Sequence, residues 1–253
     1  MSLTEQVAPS PHTAERGDRR PAATFSDVAF SWPRAEGFVL RIEKFAVEKQ
    51  EKLLIAGPSG SGKSTLLSLL CAIIAPQAGA VTVLGQDLSA LSSAERDRFR
   101  AEHFGIIFQL FNLLPYGSIL DNVLLPLSFA KMRMRRVDES GSPEHEARRL
   151  LSRLGLDEDI GHQRSATDLS VGQQQRVAAA RALIGRPESI VADEPTSALD
   201  RNRQAAFLEL LFEEVEVARA TLVMVSHDET LAKGFDRLVN LSDIVTKTGA
   251  HDG

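Results

Sequence analysis

Apolar and polar residues alternate in two early stretches, TFSDVAFSW (24–32) and FVLRIEKFAVEK (38–49), as in strands with one buried face. KLLIAG (52–57) is a short apolar run closing on glycine and predicts a buried strand of a parallel sheet. KSTLLSLLCAII (63–74) has helical spacing, GAVTVLG (79–85) reads as a strand, SSAERDRFRAEH (92–103) as a polar helix and FGIIFQ (104–109) as a strand. From Ser118 to about Leu183 the pattern is mostly helical, with Pro143 at a helix start. Within it, KMRMRRVDESGSP (131–143) reads as a loop between helices. Strand and helix then alternate again through SIVAD (189–193), RNRQAAFLELLFEEVEVA (201–218), TLVMVS (221–226) and DRLVNLS (236–242). Such alternation predicts a mainly parallel sheet with helices on both faces, interrupted by a helical subdomain at about 110–184. Residues 1–23 mix Pro, Ser, Thr and charges without apolar periodicity and read as a disordered tail, with a docking tail as the other reading. The expected domain is therefore 24–246, followed by a flexible tail at 247–253, and no internal repeat is visible.

Composition narrows the classes. The 253 residues are enough for a substantial core, and 29 Lys+Arg against 34 Asp+Glu give a mildly acidic chain, which argues against a general nucleic-acid partner. The single cysteine, Cys71, excludes an internal disulfide and a cysteine zinc cluster, and reads as a buried apolar residue. LLSLLCAIIAP (66–76) falls short of the ~18 apolar residues that span a bilayer, and the N-terminus lacks the order of a signal peptide. The expectation is a soluble chain, with docking on a membrane protein left open. Lys131, Arg133, Arg135 and Arg136 read as a solvated surface, with contact to lipid headgroups or a partner as the alternative.

The candidate chemistry begins at Gly57-Pro58-Ser59-Gly60-Ser61-Gly62-Lys63-Ser64, which fits G-x-x-x-x-G-K-[ST] between a strand and a helix. Its glycines let successive N–H groups turn toward phosphate oxygens, and the helix N-terminus adds a positive dipole. Lys63 is expected to reach β- and γ-phosphates, and Ser64 to ligate Mg²⁺. SIVADEPTSALD (189–200) delivers Asp193 and Glu194 at the carboxyl end of a strand, where ligands sit in open parallel sheets. Neighbouring strand residues point oppositely, so the acids divide the work: Asp193 to the Mg²⁺ shell, Glu194 to orienting or deprotonating water. A second anion-seeking helix start lies at LSVGQQQR (169–176), where Ser170 and Gln173 make a capping box.

With these residues in place the chain, from about Thr24 to Asp243, resembles an ATP-binding-cassette ATPase. The resemblance rests on five motifs in the family's order: the phosphate loop, Gln109 after GIIF, LSVGQ, ADEPTSALD, and His227 after TLVMVS. It implies an α/β P-loop NTPase with a mainly parallel, RecA-like core, an antiparallel β edge and an inserted α-helical subdomain. It also implies ATP and Mg²⁺ as cofactors, and a head-to-tail homodimer in the ATP-bound state. In that dimer Ser170, Gly172 and Gln173 serve the partner's nucleotide, and Gly172 allows close approach. The family usually has Gly where Val171 stands; as the first helical residue, with negative φ, Val171 has no need of glycine.

By the same resemblance Gln109 senses Mg²⁺ and couples to a membrane partner, His227 contacts the γ-phosphate, Asp200 acts across the dimer, and Thr65 completes the phosphate site. Trp32 stands where the family places an aromatic under adenine; stacking and simple packing are both open for it. FQLFNLLPYGSILDNVLLPL (108–127) is similar to the lipoprotein-releasing, macrolide-exporting and cell-division group. That likeness implies an ATPase peripheral to the cytoplasmic face of the inner membrane, held by a separately encoded permease. An ATP-dependent regulatory partner without export is the alternative, and a soluble non-transport ATPase a more distant one.

Overall fold

The computed structural model describes residues 21–33, 39–156 and 165–248. Two sheets form. The antiparallel one runs in the order β10-β2-β1-β4-β5, from Thr246–Thr248, Val39–Val47, Ala23–Ser31, Ala78–Val83 and Gln86–Asp87. The second runs β6-β7-β8-β3-β9, from Phe104–Ile107, Ser189–Asp193, Thr221–Ser226, Lys52–Ala56 and Arg237–Asn240. All its pairings are parallel, for example Ile55 with Val225 and Val191 with Val223. Parallel strands need crossovers, and helices supply them. Among the described residues the α-helices are α1 (Lys63–Leu70), α2 (Ser93–His103), α3 (Ile119–Leu124), α4 (Lys131–Ser140), α5 (Pro143–Arg153), α6 (Val171–Leu183), α7 (Arg201–Ala218) and, leading from β9 to β10, the short α8 (Leu241–Ile244).

The period-2 geometry of the parallel strands divides the core. Leu54, Ile190, Ala192, Leu222 and Met224 face a cluster shared with Val123, Leu151, Val177 and Phe207 of the helical side. Their neighbours Leu53, Ile55, Val191, Val223 and Val225 face a second cluster with α1 and the antiparallel sheet, including Phe25, Leu40, Leu66 and Val81. β8 is buried at every position, which is why TLVMVS carries no polar face. Cys71 is buried in the second cluster, and burial pushes its thiol well up. No helix of the described residues is long and apolar enough to cross a membrane.

Two readings of the pattern are corrected. Residues 131–140 form helix α4, not a loop. Its inward positions are Ala130, Arg133 and Val137, a helical spacing disguised by an arginine in the middle. Arg133 is therefore buried, while Lys131 and Arg135 are solvated as expected. The Glu102 carboxylate caps α4 from another helix by accepting from the Met132 N–H at 2.9 Å, so no local cap marks its start. At the chain's end, Lys247 and Thr248 belong to β10 and pair with Leu40 and Val39 rather than to a tail, and β1 begins at Ala23. Residues 1–20 and 249–253 lie outside the described residues.

Candidate nucleotide site

The phosphate loop leaves β3 at the carboxyl end of the parallel sheet. The Gly57 N–H donates to Ser226 O at 3.2 Å, tying the loop to the end of β8. Gly62, left-handed at φ 104°, is the N-cap of α1, a conformation a side chain would strain. Lys63 then turns back over the loop. Its Nζ donates to Gly57 O at 2.8 Å and Pro58 O at 3.1 Å and lies 3.2 Å from the Glu194 carboxylate.

A cavity of about 360 Å³ opens over the loop, lined by Ser59, Gly60, Gly62, Lys63, Ser64 and Thr65. Trp32, Gln109, Asp193 and Glu194 complete its wall. Gly57, Pro58, Ser61 and His227 line a second cavity of about 510 Å³ together with Asn240 and Leu241. Among the described residues the buried Ser61 hydroxyl has no hydrogen-bond partner there. Ser170, Gly172, Gln173 and Asp200 line neither cavity.

The acids differ from the alternation expected of a strand. β7 stops at Asp193, and Glu194 adopts φ 43°, a left-handed conformation that a side chain enters at a cost of about 1–3 kcal/mol. That turn brings both carboxylates to one cavity instead of opposite faces. Their partners still separate them. Burial pushes the Asp193 carboxyl up, an effect opposed by a hydrogen bond from Ser64. Glu194 sits between Lys63 and His227, whose Nδ1 is 2.7 Å from its Oε2. A desolvated carboxylate bonded to a hydroxyl is an all-oxygen donor pair, the chemistry that hard divalent cations prefer.

Trp32 is about two-fifths exposed, and its indole N–H donates to Thr65 Oγ1 at 3.1 Å. Phe30 packs edge-on against it at 5.1 Å between ring centroids. The ring is thus fixed at the mouth of the cavity, with an open face.

The second helix start has the predicted geometry. Ser170 is the N-cap of α6; its hydroxyl accepts from the Gln173 N–H at 3.3 Å, while Gln173 Oε1 accepts from the Ser170 N–H at 2.8 Å. Val171 is the first helical residue and lies outside the left-handed region, so glycine is not required there. At Gly172 a Cβ would meet only Leu199, at 3.9 Å, so packing within the chain does not demand glycine either. Asp200 caps α7 by accepting from the Arg203 N–H at 3.0 Å.

α6 also carries residues that the motifs do not single out. Arg181 donates to Asn112 O at 2.7 Å and to Phe111 O, holding two consecutive left-handed residues just beyond Gln109. Gln175 donates to Pro195 O at 2.8 Å, joining the same helix to the turn after Glu194. All three partners are backbone carbonyls, which no spacing of residue types reveals.

Comparison with known proteins agrees with this architecture. The family model described as ABC transporter matches residues 40–197. The chain is 41% identical over 199 residues to the lipoprotein-releasing system ATP-binding protein LolD of Hydrogenovibrio crunogenus, covering 79% of this chain and 83% of that one. It is 40% identical over 206 residues to the macrolide export ATP-binding/permease protein MacB of a Shewanella species, covering 81% of this chain but 30% of that longer protein. Among solved structures, the ATP-binding cassette MJ0796, a dimer in a post-hydrolysis state bound to ADP and Pi, superposes with a TM-score of 0.75 at 32% identity, covering 90% of this chain and 99% of that one. A phosphate loop on a parallel sheet, an acid pair at the end of β7 in the same sheet and a capped helix on the inserted subdomain are thus joined to likeness over most of the chain, which belongs to the ABC transporter family as an ATP-binding cassette that hydrolyses ATP to power transport.

Proposed function

We propose that two copies of this chain clasp ATP between the phosphate loop of one and the start of α6 of the other, and that closure drives a separately encoded permease of the lipoprotein-release or macrolide-export kind. The observation that carries this is the separation of two anion sites within one chain. Ser170, Gly172 and Gln173 do not line the phosphate-loop cavity, yet they sit on an exposed, capped helix start with a glycine that intramolecular packing does not require. A helix N-terminus facing outward with free N–H groups favours a phosphate brought by another molecule.

Within the site, Trp32 supplies a face for the base, and the loop N–H groups with Lys63 hold the phosphates. Ser64 and Asp193, with Gln109 beside them, would hold Mg²⁺, which supplies positive charge to the β- and γ-phosphate oxygens when bound. Glu194 orients the attacking water and takes its proton, and His227 steadies the carboxylate from behind. Asp200 acts across the dimer from the start of α7.

The permease would seat in a groove of about 670 Å³ between α2, β6 and the helical insertion, floored by Phe108, Leu125 and Pro126. Exposed Phe129 lines this groove, and Leu110, next to Gln109 in sequence, and Tyr116 are exposed as well, apolar side chains suited to a protein partner. The chain is then peripheral to the membrane on its cytoplasmic face, and the cargo touches the permease rather than this chain.

Ser170→Arg tests the reading, because it places bulk and charge where the partner's nucleotide is proposed to lie. ATPase activity is expected to fall by at least ~100-fold, with ATP affinity of the single chain within about twofold of the parent. Retained turnover in that variant contradicts the shared site.

A further inference from the structure

α4 contributes a buried arginine that the nucleotide chemistry does not use. Arg133 is 2% exposed, and among the described residues its guanidinium bonds only to backbone carbonyls. Nε donates to Ile184 O at 2.9 Å, Nη1 to Phe104 O at 3.0 Å and Ala101 O at 3.3 Å, and Nη2 to Ala182 O at 3.1 Å and to Ile184 O. Among the described residues no carboxylate forms an ion pair with it. Burial, with Arg136 nearby, pulls it down to about 10, so it stays charged at neutral pH.

The bonded carbonyls share a property. Ala101 lies in the last turn of α2 and Phe104 is its C-cap; Ala182 lies in the last turn of α6 and Ile184 is its C-cap. Helix C-termini leave their last carbonyls without internal partners and carry the negative end of the helix dipole. One buried cation therefore caps two helices at once. Phe104 also opens β6, which runs directly into Gln109.

The joint is tight as well as charged. A Cβ on Gly105 would lie 2.0 Å from Ala182 O, so β6 and the end of α6 meet backbone to backbone. A Cβ on Gly185 would lie 2.6 Å from Arg133 Cβ. Arg133 also lines the groove beside Phe108 and Phe129.

We propose that Arg133 is a positioning residue of the ATPase: it clamps the C-terminal end of α6 to β6, so that the helix turns as a rigid lever and a load in the groove is delivered to Ser170 at its far end. The helix has 13 residues, so the lever is about 20 Å long at 1.5 Å per residue. A loosened pivot displaces its tip, and a misplacement of ~1 Å at a reacting site costs on the order of 100-fold in rate. The inference rests on the proposed role of Ser170 at a partner's nucleotide.

The test uses the Glu194→Gln chain as parent and adds Arg133→Met, which keeps an unbranched apolar stem but removes every donor, or Arg133→Lys, which keeps the charge and fewer donors. Each is measured below its own melting temperature for MgATP affinity as a single chain and for ATP-driven dimerisation. Arg133→Met is expected to weaken dimerisation at least ~10-fold while single-chain affinity changes less than about twofold, with Arg133→Lys in between. If Arg133→Met does not fold, Arg133→Lys decides by the same two readouts. Dimerisation equal to the parent, or a parallel fall in affinity and dimerisation, overturns the proposal. A parent that itself fails to dimerise overturns the shared-site reading instead.

Discussion

Glu194 and Asp193 are adjacent in sequence and reach the same cavity, yet their surroundings give them different electrostatics. Glu194 is clasped by Lys63 and His227, whereas Asp193 is desolvated and bonded by Ser64. Burial raises the Asp193 carboxyl above its unfolded value, so the folded chain holds that proton more tightly than the unfolded one. The linked stability is full below the unfolded value and is lost as pH rises through the raised folded value. Asp193→Asn is therefore expected to raise the melting temperature at neutral pH, with the gain shrinking as the pH falls into the range where Asp193 protonates. A thermal-melt series across pH checks this, and a lower melting temperature at neutral pH refutes it. At this scale the sequence was most informative, because phosphate loop, acid pair and capping box are local patterns whose spacing carries their chemistry. What it hid were residues whose partners are distant carbonyls: Arg133 on four carbonyls at two helix ends, and Arg181 on Phe111 and Asn112. The strained backbone at Glu194 was also hidden, since strand periodicity placed its carboxylate on the wrong face.

Elements follow the apolar pattern wherever their inward positions are apolar. β3, β7 and β8 were legible because both faces are buried, and α5 because Ser142 and Pro143 mark its start. α4 was not, because a satisfied arginine takes a core position and its cap comes from Glu102 in another helix. Among element contacts, the approach of β6 to α6 is the least tolerant. Gly105→Ala puts a Cβ against the Ala182 carbonyl, an atom with no rotamer to yield. Overpacking of this kind is expected to destabilise the chain by about 3 kcal/mol, the upper end of such costs. Urea unfolding at 25 °C measures it, and a change under ~0.5 kcal/mol, the range of neutral surface substitutions, refutes the rigid joint.

At the scale of the whole molecule, the class of architecture could be read but not its wiring. Strand–helix alternation predicts a parallel sheet, yet nothing in the pattern says that β3 lies between β8 and β9, a placement that sets the phosphate loop beside β8's end and His227. That wiring explains why the Lys63–Glu194–His227 group assembles from three strand ends within one chain while the start of α6 stays apart. The proposed arrangement, in which two chains hold each triphosphate, follows from that separation. Sedimentation of the Glu194→Gln chain with MgATP tests it most directly. This variant is expected to lose turnover at least ~100-fold, about 2.7 kcal/mol of barrier, and so to keep its nucleotide. A species of twice the 27.6 kDa of one chain that returns to single chains when ATP is removed is expected; nucleotide-loaded protein that sediments strictly as single chains would contradict the shared site.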